Sequence, residues 1–389
     1  MIPALRRAIR RVRAVLRDPN VLRRAIAERV ARWQQARAHA RTVGPGQARV
    51  LVALRTVPPV WLDADGPVEV HILCGRRTVP DALAMLTTFY HYAPPYPLVV
   101  HDDGTLGARD RRRLRRAFPS LSILTRRTTD REVLARLTAA GLTRCLAERR
   151  RNVFMRKLFD LQYYARGKRA LYLDTDILVL DEPRALLAAL TAPDEAWADR
   201  YNEDVRSCYA AGAQRAADAM GVTLRPGVNA GLFCVRLAAM PDWPTIEAQL
   251  AILGPDEYFA EQTVWALHFS ASGGRPLPPV YDVCFRHAWA GGNWDANARA
   301  QVRGEPVVTQ HYCGGPQLRA LFYPRFLAWL VSVTHTPRRQ AQTRNAIHPL
   351  WMDGVPQYGL VLGVGLGKSR GESPARTLTP NSAAFQHEE

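Results

Sequence analysis

The stretch Arg169-Ala170-Leu171-Tyr172-Leu173-Asp174-Thr175-Asp176-Ile177-Leu178-Val179-Leu180 decides what kind of chain this is. A helix is expected before it, with Phe154, Leu158, Leu161 and Ala165 at helical spacing. The apolar run ahead of Asp174 predicts a buried central strand. Two carboxylates ending such a strand are costly to bury unless positive charge lies between them. On an extended chain, positions i and i+2 face the same side, so Asp174 and Asp176 are expected to point together. That arrangement suits a hard divalent cation with oxygen ligands, Mg²⁺ or Mn²⁺. The bland alternative is a solvated acidic turn that caps a helix near Pro183.

Two later segments end in the same style. Gly227-Val228-Asn229-Ala230-Gly231-Leu232-Phe233-Cys234-Val235 sets a polar Asn and a Gly before an apolar strand. Glycine admits close approach of a ligand to backbone, and the Asn amide both donates to and accepts from hydroxyls. Val307-Val308-Thr309-Gln310-His311-Tyr312-Cys313-Gly314-Gly315 places a histidine at a strand end, a natural third ligand for an Asp-x-Asp site. Upstream, Val68 to Leu73 alternates as a strand, residues 81–93 read as a helix, and Tyr96 to Val100 as a second strand. A basic helix from Ala108 to Phe118 and a short strand from Leu121 to Leu124 follow. Strands alternating with helices predict a mostly parallel, doubly wound α/β sheet whose ligands bind at the carboxyl ends of the strands.

Composition sets the outer limits. With 389 residues, 47% apolar and 23% charged, the chain is neither disordered throughout nor a membrane-spanning protein. The N-terminus lacks the continuous apolar segment of a secretory signal. Six scattered cysteines with no CxxC pair fit a reducing cytoplasm better than a disulfide framework. Net charge is +18, and residues 1–49 carry 13 arginines against two acids. Only three of the 53 basic residues are lysines, a bias that weakens inference from charge alone.

Within this arm, Ile2, Leu5, Ile9, Val12 and Leu16 predict one amphipathic helix, and Leu22, Ile26, Val30 and Trp33 a second. Asp18-Pro19-Asn20 separates them and Gly44-Pro45-Gly46 closes the arm. Such helices either pack on the body or lie peripherally on an anionic membrane surface. The expected organisation is an arm and linker over 1–60, a body over 67–335, and an extension over 336–389. Gly, Ser, Pro and Thr over residues 363–389 predict that part of this extension is a disordered tail. Gly365-Leu366-Gly367-Lys368-Ser369 imitates a phosphate loop, but Leu362 stands where its first glycine belongs.

In this order, the segments resemble the family 8 glycosyltransferases and their bacterial relatives with the GT-A fold. The resemblance spans roughly residues 68–318. Its motifs are Leu-Tyr-Leu-Asp-Thr-Asp, Asn229-Ala230-Gly231, Glu261-Gln262 where the family shows Asp-Gln, and His311-Tyr312-Cys313-Gly314. It implies a Rossmann-like, mostly parallel sheet flanked by helices, and a metal-dependent transfer of sugar from a nucleotide-sugar donor. Asp174, Asp176 and His311 would hold Mn²⁺ or Mg²⁺ on the donor diphosphate. Asn229 and Gly231 would face the donor sugar, Gly314 the β-phosphate, and Lys157 would be the family's basic residue on the preceding helix. Gln262 would sit beneath the anomeric centre of a retaining reaction, with Glu261 the alternative base of an inverting one.

A UDP-sugar donor and a glycan, lipid or protein acceptor follow from the same resemblance, with no nucleic-acid partner. The implied location is the cytoplasm, with peripheral contact on the inner membrane face. Two positions depart from the family. Cys74-Gly75-Arg76-Arg77 replaces the acidic and Asn residues that hold uridine, and Gln317 replaces a lysine, with Arg319 nearby as a substitute. Two other readings are a haloacid-dehalogenase-type phosphatase and a basic nucleic-acid or membrane adaptor. The phosphatase motif wants Thr or Val where Leu178 stands.

Overall fold

Strands β1 (Val68–Cys74), β2 (Leu98–Asp102), β3 (Ser122–Leu124) and β4 (Arg169–Leu173) pair in parallel in the order β3-β2-β1-β4. This computed structural model describes residues 19–255, 257–283, 307–313 and 316–335. The same sheet continues through β7 (Val228–Arg236), β6 (Arg200–Glu203) and β8 (Arg275–Pro276), giving seven strands. β7 runs antiparallel to both β4 and β6, so the sheet is mixed at its centre. A three-stranded sheet of β5 (Ile177–Val179), β10 (Thr309–His311) and β9 (Tyr281–Val283) stands beside it.

Period-two alternation explains the layers. On β4, Leu171 and Leu173 enter one core cluster with Val70, Ile72 and Leu232. Ala170 and Tyr172 enter another with Phe233 and Trp265. Tyr172 lies opposite Phe233 across the β4–β7 ladder, and the rings stack with centroids 5.1 Å apart. A pair of this kind contributes about 0.5–1.5 kcal/mol beyond its buried area. With both faces covered, β4 is fully buried, as its unbroken apolar run predicts.

The long run 169–180 is not one strand. The chain leaves β4 at Leu173, turns through Asp174-Thr175-Asp176, and enters the second sheet as β5. The two carboxylates therefore converge at a corner, not along extended chain. Apolar residues on both sides of the corner conceal it in the sequence, because Ile177 to Val179 is as buried as β4.

The arm also differs from its expected form. One helix, Pro19–Ala53, starts at a proline and passes through Pro45 without ending at Gly44-Pro45-Gly46. Proline fits a helix start, but inside a helix it removes a hydrogen bond and is normally disruptive. Tertiary packing outweighs that cost here. Val43 and Val50 are buried with Tyr323, Phe326 and Trp329 of the helix Pro316–His335. A Cβ on Gly46 would overlap the Tyr323 ring, so this glycine sets how closely the helices approach. The helix thus packs on the body along its C-terminal part. Among the described residues no helix is long and apolar enough to cross a membrane. Residues 1–18, the extension 336–389 and its Gly365–Ser369 motif lie outside the described residues.

Candidate functional site

The three side chains that could hold a metal meet because the two sheets meet. β10 pairs antiparallel with β5 so that His311 lies opposite Ile177, one residue past Asp176. The Tyr312 N–H donates to the Asp176 carbonyl at 2.8 Å, fixing that register beyond the strand end. From the other side, the Asp174 N–H donates to the Gly231 carbonyl at 2.6 Å. His311 Nε2 lies 3.2 Å from Asp176 Oδ1 and 4.0 Å from Asp174 Oδ2. One ligand atom from each of Asp174, Asp176 and His311 lies within 4.8 Å of the others, the one such group among the described residues. Two carboxylates and an imidazole form a donor set that fits Mn²⁺ or Mg²⁺.

Two internal cations hold the carboxylates. Lys157 Nζ contacts both oxygens of Asp174, at 2.9 and 3.1 Å, and donates to the Ala230 carbonyl at 3.3 Å. The Phe154 and Tyr172 rings flank that ammonium, with centroids 5.3 and 4.9 Å away. Arg319 Nη2 donates to Asp176 Oδ2 at 2.8 Å. Burial alone would raise the Asp176 carboxyl, yet His311 and Arg319 hold it well below the usual carboxylate range. Burial would lower His311, but Asp176 and then Asp174 raise it above its ordinary value. Lys157 is likewise raised, against its burial, by Asp174 and Glu261.

Asn229 and Gly231 line the same cleft. Asn229 Oδ1 accepts from the Gly231 N–H at 2.8 Å, and its Nδ2 donates to Asp204 at 3.2 Å. Both Glu261 and Gln262 border the cleft, at the first turn of the helix Ala260–Ala271. Gln262 Nε2 donates to the Cys208 carbonyl at 2.8 Å, which anchors the amide in place. Glu261 is buried, and burial raises its carboxyl to about 7, with Lys157 opposing and Asp174 adding to the shift. Its Oε1 has no hydrogen-bond partner. The cleft holds about 480 Å³.

Gly314 and the side chain of Gln317 lie outside the described residues. Arg319, the expected substitute for Gln317, lines the cleft and contacts Asp176. A Cβ on Gly75 would overlap the carboxylate of Asp103, which follows directly after β2 and takes that space. Cys313 is disulfide-bonded, which the scattered spacing of the cysteines did not announce. Two features escaped the sequence reading. Phe154, Tyr258 and Phe259 form an aromatic border to the cleft, signalled only by a Tyr-Phe pair just ahead of Glu261-Gln262. Asp81, buried behind Arg319, has no motif at all.

No protein-family model and no curated protein matches the sequence. Several solved structures are similar to it. The galactosyltransferase LgtC, crystallised with donor and acceptor sugar analogs, is 18% identical, with 72% of this chain and 100% of that chain covered and a TM-score of 0.45. The bifunctional glycosyltransferase WbbM is 16% identical at a TM-score of 0.44. That match covers 72% of this chain and 52% of WbbM, about half its length. The mannosyltransferase PcManGT from Pyrobaculum calidifontis, solved with GDP-Man and Mn²⁺, is 14% identical over 80% of this chain and 89% of that chain, with a TM-score of 0.32. The expected architecture, a Rossmann-like, mostly parallel sheet flanked by helices, is the one this chain adopts.

Proposed function

We propose that this chain is a metal-dependent glycosyltransferase that moves a sugar from a nucleoside-diphosphate sugar to an acceptor hydroxyl with retention of configuration. One observation carries the reading. Asp174 and Asp176 converge with His311, distant in sequence, at one wall of a cleft whose other walls hold Lys157, Arg319, Asn229 and Gln262. Ligand binding at the carboxyl end of a central strand is the expectation for open α/β sheets.

A divalent cation on the three ligands would supply a Lewis acid for the diphosphate leaving group. Lys157 and Arg319 add fixed positive charge where the departing diphosphate gathers negative charge. Asn229 is oriented by Asp204 and Gly231 to meet sugar hydroxyls. The Gln262 carboxamide, anchored on Cys208, presents partial negative charge to an oxocarbenium-like centre at little desolvation cost compared with a carboxylate. The test is calorimetric titration of UDP and GDP with and without Mn²⁺. Binding that requires the metal supports the proposal, and metal-independent or absent binding of both removes it.

We also propose that the helix Pro19–Ala53 touches the inner, anionic face of the cytoplasmic membrane. Its buried stripe is spent on Pro316–His335, while Arg41, Arg49, Val30 and Val52 are exposed. Basic side chains beside apolar ones favour an anionic interface. Co-sedimentation with vesicles containing phosphatidylserine, compared with phosphatidylcholine alone, tests it; equal sedimentation with both overturns it.

A further inference from the structure

We propose that Arg319 is a positioning cation shared between Asp176 and Asp81, which competes with the metal for Asp176 and thereby makes metal and diphosphate bind together. The inference rests on the proposed function and adds to it a control that no motif carries.

The geometry is a short relay behind the cleft. Arg319 Nη2 lies 2.8 Å from Asp176 Oδ2 while Nη1 lies 3.7 Å from Asp81 Oδ2. Asp81 is 2% exposed, and its Oδ1 accepts from the Tyr323 hydroxyl at 3.0 Å and the Gln47 amide at 3.2 Å. Asp81 therefore stays behind the cleft; burial raises its carboxyl to about 6, with Arg319, Gln47 and Tyr323 opposing, so it is an anion at neutral pH. Asp81 belongs to the helix Val79–Tyr90 and its neighbours come from the N-terminal helix (Gln47) and from Pro316–His335 (Arg319, Tyr323), so three elements meet on one carboxylate.

A guanidinium presents a rigid fork and can serve two carboxylates at once. Asp176 turns Oδ1 to His311 and Oδ2 to Arg319, so a divalent cation held by Asp176 and His311 would share this carboxylate with Arg319 and repel its charge. Asp81 would keep the Arg319 side chain in the cleft wall, with its positive charge beside Asp176. Lys157 stands on the other flank, on Asp174. The cation brings two further positive charges to a site whose carboxylates are already paired with Lys157 and Arg319. A diphosphate is the ligand class that neutralises this excess, and each ligand then raises the affinity of the other.

Three variants separate this role from a merely structural one, read by calorimetric titration of Mn²⁺ alone and of UDP or GDP at saturating Mn²⁺. Arg319→Gln should tighten Mn²⁺ alone by roughly ten-fold or more, the scale of one partly buried charge interaction. It should weaken the nucleoside diphosphate by a similar factor. Asp81→Asn should do the opposite to Mn²⁺ alone, because Arg319 then belongs wholly to Asp176. Arg319→Lys keeps the charge without the fork, so diphosphate binding should survive while the antagonism with Mn²⁺ falls. Thermal unfolding identifies any variant that does not fold, and Arg319→Lys then stands in for it. Weaker Mn²⁺ binding in Arg319→Gln, or no change of Mn²⁺ affinity in any folded variant, overturns the proposal while leaving the function intact. Failure of the unaltered chain to bind Mn²⁺ with either nucleotide overturns both.

Discussion

Gly231 and His311 are in direct contact across the junction of the two sheets: a Cβ on Gly231 would lie 2.8 Å from His311 Nδ1 and overlap the ring at Cε1. The same Cβ would lie 2.9 Å from Asn229 Oδ1. The glycine is therefore required for the histidine to reach the two aspartates, independently of any contact with a sugar. Gly231→Ala should weaken Mn²⁺ binding by roughly ten-fold or more and cost about 1–3 kcal/mol in stability, the range of local overpacking. Calorimetry and denaturant unfolding measure the two effects separately. Mn²⁺ affinity unchanged in the alanine variant would show that the ring has room the structure does not suggest.

His311 and Asp176 should also reveal themselves through protons. His311 is raised above its ordinary value by Asp176 and Asp174, and must lose its proton to ligate a metal. Mn²⁺ binding at mildly acidic pH should therefore release about one proton, and affinity should fall as pH drops through the raised His311 value. Titrations in buffers of different ionisation enthalpy count the protons. Asp176→Asn and His311→Ala should each abolish metal-dependent nucleotide binding while the chain still unfolds cooperatively.

Glu261 predicts a pH dependence of stability with a definite sign. Its folded value of about 7 lies above the ordinary 4.5. Between those values the folded chain keeps a proton that the unfolded chain releases, so stability falls as pH rises through the window. Glu261→Gln removes the titration. It should exceed the unaltered chain in Tm by about 2–6 °C at pH 8 and lose that advantage near pH 4. A Tm difference independent of pH would remove Glu261 as a strained carboxylate.

Gln262 and Glu261 border one cleft, so the reaction itself must separate them. Gln262→Ala should lower turnover by roughly ten- to a thousand-fold with donor affinity nearly unchanged, the signature of a contact made mainly in the transition state. Glu261→Ala should chiefly weaken sugar or acceptor binding. The reverse pattern, with an inverted anomeric configuration by NMR, would replace retention with base-assisted inversion.

Truncation of the arm should be tolerated only up to a point that packing sets. Deleting residues 1–49 strips Val43 and Gly46 from the Tyr323–Phe326–Trp329 cluster and Gln47 from Asp81. It should lower Tm by several degrees, whereas deletion of residues 1–18 leaves Val43, Gly46 and Gln47 in the chain. Phe326→Ala, which opens the same cluster from the other side, should cost about 3–5 kcal/mol. Thermal melts of the three proteins decide whether the arm is part of the folded body.

The sequence by itself determined the central strand, the alternation that buries both faces of the sheet, and which carboxylates and histidine come together. Each was legible because its cause is local: Leu171 and Leu173 fix one face by their own apolarity, and Asp174 and Asp176 are conspicuous at the end of an apolar run. Tertiary structure alone decided the rest. The corner at Asp174-Thr175-Asp176 carries the chain from the main sheet to the ladder that Ile177 to Val179 forms with β10, and residues 309–311 are too far along the chain to show it. Pro45 remains helical because Gly46 meets Tyr323, nearly three hundred residues away. Asp81 acquires a role only when Gln47, Tyr323 and Arg319 surround it, since a lone carboxylate in a helix carries no local sign of what will neutralise it. Contacts between residues far apart in sequence are set by how the sheets and helices pack, and their chemistry becomes readable only after that packing is in place.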